Sequence, residues 1–125
     1  MVLGLGTDMV EIARIERAVA RRGERFLGRV FTPGERRDCF RKASRCESLA
    51  ARFAAKEAAF KALGRGLFEC GGFPSVEIVV DGGGRPEIVF RGRALRIAEE
   101  MGVRRSFVSL AHDGGFAVAT VVLEG

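Results

Sequence analysis

The sequence predicts an α+β protein in which helices pack on a mainly antiparallel sheet of about five strands. Three observations carry this. The β-type runs in the second half come in adjacent pairs joined by glycine turns. Helix-patterned segments with clear entry and exit signals separate those runs from the first strand. The element order is β, three helices, β-β, α, β-β, over 125 residues with no repeat, low-complexity tract or linker, so residues 1–125 are expected to form one domain.

The first element, "MVLGLGTDMVEI", is a short strand. Its even positions Val2, Gly4, Gly6 and Asp8 give one face that is nearly bare of side chains and carries a carboxylate. Glycines there let another element or a ligand approach the backbone closely. "EIARIERAVARR" has helical spacing, with Ile12, Ile15 and Val19 on one side and Arg14, Arg17 and Arg21 on the other. "TPGERRDCFRK" opens a second helix: Thr32 is the N-cap, Pro33 suits the first turn and Glu35 completes a capping box. A long helix follows from about Ser44 to Leu63 and ends at Gly64.

"VEIVV" and "EIVF" are strands joined by the turn "DGGGRP". "GRALRIAEEMG" is a helix with Ala94, Ile97, Ala98 and Met101 on one face. "SFVSLAHD" and "FAVATVVLE" are two further strands around Gly114-Gly115.

Composition narrows the function classes. With 47% hydrophobic and 30% charged residues the chain is globular, and no apolar run approaches the ~20 residues of a membrane span. The N-terminal segment lacks the pattern of a secretory signal. Three cysteines, Cys39, Cys46 and Cys70, form no C-x-x-C pair, which argues against a disulfide scaffold or zinc site and for a reducing cytoplasm. A net charge of +5 points to anionic partners: phosphates, nucleic acid or an acidic protein.

The chemistry concentrates in "RFAAKEAAFKALG". Leu49, Phe53, Phe60 and Leu63 form one apolar stripe of this helix, and Ala51, Ala55, Ala58, Ala59 and Ala62 form a small-residue face. Arg52, Lys56, Glu57 and Lys61 are therefore not simply its wet side. Charges near a core need a partner, a metal or a ligand. Glu57 and Lys61 also have the spacing of an ordinary helix ion pair. Asp8 admits two readings, a cap for the next helix or a metal ligand. Two carboxylates from different elements, completed by water and phosphate, suit Mg²⁺.

"GTDMVEI" with "RFAAKEAAFKALG", supported by "FTPGE", "GRP" and "VSLAHDGGFAVA", resembles the holo-[acyl-carrier-protein] synthases, small bacterial 4′-phosphopantetheinyl transferases. The resemblance implies the fold of that family and a reaction that moves 4′-phosphopantetheine from coenzyme A to a serine of apo acyl carrier protein, releasing adenosine 3′,5′-bisphosphate. It places Asp8 and Glu57 on Mg²⁺ at the coenzyme pyrophosphate and Lys61 on the transferred phosphate. Arg52, Lys56, Pro86 and His112 fall to the coenzyme, and Arg14 and Arg21 to the acidic carrier. It further implies a homotrimer with shared sites. Glu57 is the candidate base for the serine proton. Ala111 departs from the family's usual serine or threonine. The competing reading is a basic nucleic-acid-binding module without catalysis, supported by net charge but offering no Trp or Tyr for stacking and no use for Asp8 and Glu57.

Overall fold

In a computed structural model describing residues 1–125, the chain runs β1 (Val2–Glu11), α1 (Ile12–Arg22), α2 (Glu24–Val30), α3 (Pro33–Phe40), α4 (Arg45–Leu63), a short 3₁₀ turn (Phe73–Ser75), β2 (Val76–Val80), β3 (Pro86–Phe90), α5 (Gly92–Met101), β4 (Arg105–Asp113) and β5 (Phe116–Glu124). The α+β class is as expected. Four helices rather than three precede β2: the sequence reading missed α2, a seven-residue helix. Its signal is weak because Gly28 interrupts so short a pattern.

The five antiparallel strands divide into two sheets. One has the order β1-β5-β4 and the other is the β2–β3 hairpin, which packs beside β4. In the larger sheet Gly6 lies opposite Val121 and Asp8 opposite Ala119, and Leu110 also faces Ala119 from the far strand. β4 turns into β5 through Gly114 and Gly115, both at positive φ (58° and 83°). That backbone shape suits a two-residue hairpin and is open to glycine without strain.

Helix α4 is the centre of the core. Twelve of its 19 residues are buried, and the Ala51, Ala55, Ala58, Ala59 and Ala62 face is among them. The helix lies on the inner face of the larger sheet, where Val10, Ala117, Ala119, Val121 and Leu123 are buried in the same cluster. Small residues on both sides allow the close approach. A methyl group on Gly4 would collide with the carbonyl oxygen of Ala62, and one on Gly6 with that of Ala58. The bare glycine face of β1 is thus the seat of α4. No helix is long and apolar enough to cross a membrane.

Candidate active site

The seating of α4 on β1 brings Asp8 to the C-terminal half of the helix. Lys61 donates from Nζ to Asp8 Oδ1 at 3.0 Å and to the Thr7 carbonyl at 3.1 Å. Lys61 therefore reaches across to the strand, and no Glu57–Lys61 ion pair forms along the helix. The capping alternative for Asp8 also lapses, because Glu11 occupies the N-cap position of α1. Burial pushes the Glu57 carboxyl above its ordinary value; the Asp8 charge adds to this, and Lys61 and Arg14 oppose it. Two carboxylates, one lysine and one arginine thus share an electrostatic neighbourhood.

This donor set fits a magnesium ion better than a transition metal. Asp8 and Glu57 supply hard oxygen atoms from different elements, and the repulsion between their charges favours a cation beside them. Mg²⁺ characteristically takes one or two carboxylates and completes its shell with water and substrate phosphates.

The N-terminal half of α4 differs from expectation. Lys56, assigned to the coenzyme from the motif, is 0% exposed. Its Nζ pairs with Glu35 Oε1 at 2.7 Å and donates to the carbonyls of Val76 (2.6 Å) and Phe73 (3.2 Å). All three donors are used inside the core, so direct contact with a ligand is ruled out for this side chain. Burial pushes the Lys56 ammonium pKa down, against the upward pull of Glu35. Arg52 is also buried at 1% exposure, donating to the Ile78 carbonyl at 3.2 Å. It nevertheless forms part of the wall of a cleft of about 220 Å³.

That cleft lies between α4, the hairpin and the end of β4, lined by Lys42, Glu47, Ser48, Arg52, Gly84 and His112 among others. His112 Nε2 is 3.8 Å from Glu47 Oε2. Ala111 contributes no hydroxyl, but Ser44 and Ser48 line the same space. Lys42, Ser44, Ser48 and Glu47 escaped the sequence reading. The one available signal was that Ser48 and Arg52 lie one helical turn apart. Pro86 faces a neighbouring hollow with Arg85, Ser106 and Phe107. Asp8 and His112 stand on the two outer strands of the β1-β5-β4 sheet, and Asp8 is not among the residues lining the His112 cleft.

A third feature lies on α1. Arg14, Arg17, Arg21 and Arg22 surround a groove whose floor includes Phe26 and Phe53. Arg17 is partly neutralised by Glu11 at 3.4 Å. The two phenylalanines were not foreseen as part of this surface.

The chain is similar to known proteins along nearly its whole length. Residues 4–121 match the 4′-phosphopantetheinyl transferase superfamily. The holo-[acyl-carrier-protein] synthase of Koribacter versatilis is 48% identical over 124 residues, covering 99% of each chain. That of Anaeromyxobacter dehalogenans is 51% identical over 129 residues, covering 100% of this chain and 98% of the relative. The crystal structure of the Neisseria meningitidis holo-[acyl-carrier-protein] synthase superposes with a TM-score of 0.89 at 37% identity, covering both chains completely. The Helicobacter pylori enzyme in complex with coenzyme A gives 0.85 at 33% identity, covering 96% of this chain and 99% of that one.

Proposed function

Because the chain belongs to the 4′-phosphopantetheinyl transferase superfamily, as a holo-[acyl-carrier-protein] synthase, we propose that it performs a Mg²⁺-dependent transfer of 4′-phosphopantetheine from coenzyme A to a serine of apo acyl carrier protein, releasing adenosine 3′,5′-bisphosphate. The observation that carries this reading is the meeting of Asp8 with Glu57 and Lys61 where α4 sits on the glycines of β1. Asp8 and Glu57 would hold the metal, which when bound neutralises charge on the pyrophosphate.

The remaining chemistry falls to the chain's own groups. Lys61, half exposed, turns its ammonium from Asp8 to the oxygen atoms of the transferring phosphoryl group, where charge accumulates in the transition state. The serine oxygen forms the new P–O bond as the bond to the bisphosphate breaks. Glu57 is the carboxylate to which the serine proton is assigned. The cleft with Arg52 and His112 receives the anionic end of the coenzyme, and Pro86 supplies a flat apolar contact beside it. Arg14 and Arg21 steer the acidic carrier onto α1, with Phe26 and Phe53 giving it an apolar footing.

The assembly belongs to the same proposal. The outer face of the larger sheet exposes Leu5, Met9, Phe107 and Phe116, apolar groups that a second and third copy would cover. Association through that face, as a trimer, would allow the His112 edge of one copy to approach the Asp8 edge of the next. Sedimentation as a lone 13.5 kDa species under assay conditions would dismiss it. The reaction itself is tested by chromatography of the nucleotide product. With coenzyme A, Mg²⁺ and apo carrier, one adenosine 3′,5′-bisphosphate is expected per carrier modified, and none with EDTA or in Asp8→Ala. Undiminished release from Asp8→Ala would remove the carboxylate site from the account.

A further inference from the structure

The smaller sheet has only two strands, and no strand pairs with the edge of β2 that faces away from β3. Three charged side chains from α3 and α4 occupy that edge instead. Lys56 Nζ donates to the Val76 carbonyl at 2.6 Å, Glu35 Oε2 accepts from the Ile78 N–H at 2.7 Å, and Arg52 donates to the Ile78 carbonyl at 3.2 Å. Glu35 Oε1 also accepts from the Thr32 N–H at 2.8 Å and pairs with Lys56 at 2.7 Å. The three residues are at most 1% exposed, and no buried side-chain nitrogen or oxygen lacks a partner. A donor, an acceptor and a second donor thus stand in for the ladder of an absent neighbouring strand.

Such a set fixes position as well as satisfying the backbone. If β2 slid by one residue, the pattern of N–H and C=O groups presented to α3 and α4 would no longer match. Donors would then face donors in the interior, an outcome far costlier than a slip at a hydrated edge. Buried ion pairs are weak contributors to stability compared with apolar packing, and their best-attested use is to set register. The element being registered is the hairpin that walls the coenzyme cleft: Val80 and Gly84 line the space with His112, and Arg85 and Pro86 line the hollow beside it.

We propose that Lys56, Glu35 and Arg52 are positioning residues for coenzyme A, a buried clamp that sets the β2–β3 hairpin against α4 and so fixes the shape of the cleft. The inference rests on the assignment of that cleft to the coenzyme made above. It gives a role to the one motif lysine that touches no solvent, and it divides the helix motif by function. Lys56 and the buried part of Arg52 hold the wall, whereas Glu57 and Lys61 meet the reacting groups.

The test compares wild type with Lys56→Met and with the double variant Glu35→Met/Lys56→Met, which leaves no unpaired buried charge. Steady-state kinetics with varied coenzyme A and with varied carrier give the two KM values and kcat. Hydrogen exchange at the Ile78 amide reports the clamp directly, without turnover. A variant that melts cooperatively is expected to exchange Ile78 faster and to raise KM for coenzyme A by about tenfold, with kcat and the carrier KM within about threefold of wild type. A folded variant with unchanged KM for coenzyme A would overturn the proposal, as would a uniform fall in kcat with both KM values intact. If neither variant folds, the three residues serve the fold as a whole and the positioning role is withdrawn. Absence of transfer by the wild-type enzyme would instead count against the proposed reaction, and Ile78 exchange would still report whether the clamp holds the hairpin.

Discussion

Asp8 shows how much a single residue's neighbours decide. Its place on a strand of glycines marks it as unusual in the sequence, but only the fold shows Lys61 beside it and Glu57 within its field. Asp8, Glu57 and Lys61 are legible in the sequence because each sits where a charge needs a reason. Lys56 is equally conspicuous, yet its partner Glu35 lies on another helix and also caps that helix, so local pattern alone explains Glu35 and hides the pair. Glu77 was not foreseen at all. Burial raises its pKa, but hydrogen bonds from Thr32 Oγ1 and Arg91, both at 2.6 Å, outweigh that and hold the carboxyl below its ordinary value. A depressed folded-state pKa adds stability above the unfolded value and loses it as pH falls through the folded one. Glu77→Gln is therefore expected to lower stability by about 1–2 kcal/mol at pH 7, with the gap closing in acid below about pH 4. Denaturant unfolding of both proteins at several pH values checks this; an equal gap at pH 7 and at pH 3 would contradict it.

At the scale of elements, most of the chain can be read from local pattern. The capping box of Thr32 and Glu35, the end of α4 at Gly64 and the buried Ala94, Ile97 and Ala98 face of α5 all stand as expected. The missing helix α2 and the division of the strands into two sheets are failures of another kind. α2 is too short for its periodicity to stand out, and strand partnership is decided by packing between distant segments. The glycines of β1 were legible as a place of close approach, but not as the seat of α4 in particular. Their role makes a sharp prediction. In Gly6→Ala the new methyl must push away the Ala58 carbonyl, which moves α4 from β1 and Glu57 from Asp8. A loss of about 1–3 kcal/mol in stability is expected from the overpacking. Transfer should fall by about tenfold or more at temperatures where the variant is folded, since small misplacements of reacting groups are expensive. A folded Gly6→Ala enzyme with a wild-type rate would show that this contact does not set the site.

For the molecule as a whole, one buried core of 26 residues supports three separate surface features: the Asp8–Glu57–Lys61 cluster, the His112 cleft and the arginine groove of α1. Resemblance named some residues of each, Asp8, Glu57 and Lys61 in the first, Arg52 and His112 in the second, Arg14 and Arg21 in the third, but neither the rest of their linings nor their arrangement. That Asp8 and His112 occupy opposite edges of one sheet follows from the order β1-β5-β4, which no local signal encodes. The central claim is that the two carboxylates brought together by α4 and β1 drive phosphopantetheine transfer. Its most direct test is the intact mass of an apo acyl carrier protein incubated with coenzyme A, Mg²⁺ and either the wild-type enzyme or Glu57→Ala. The account predicts that the carrier gains one phosphopantetheine with the wild type, and nothing with Glu57→Ala or when EDTA replaces the metal. A full gain in mass with folded Glu57→Ala would contradict it.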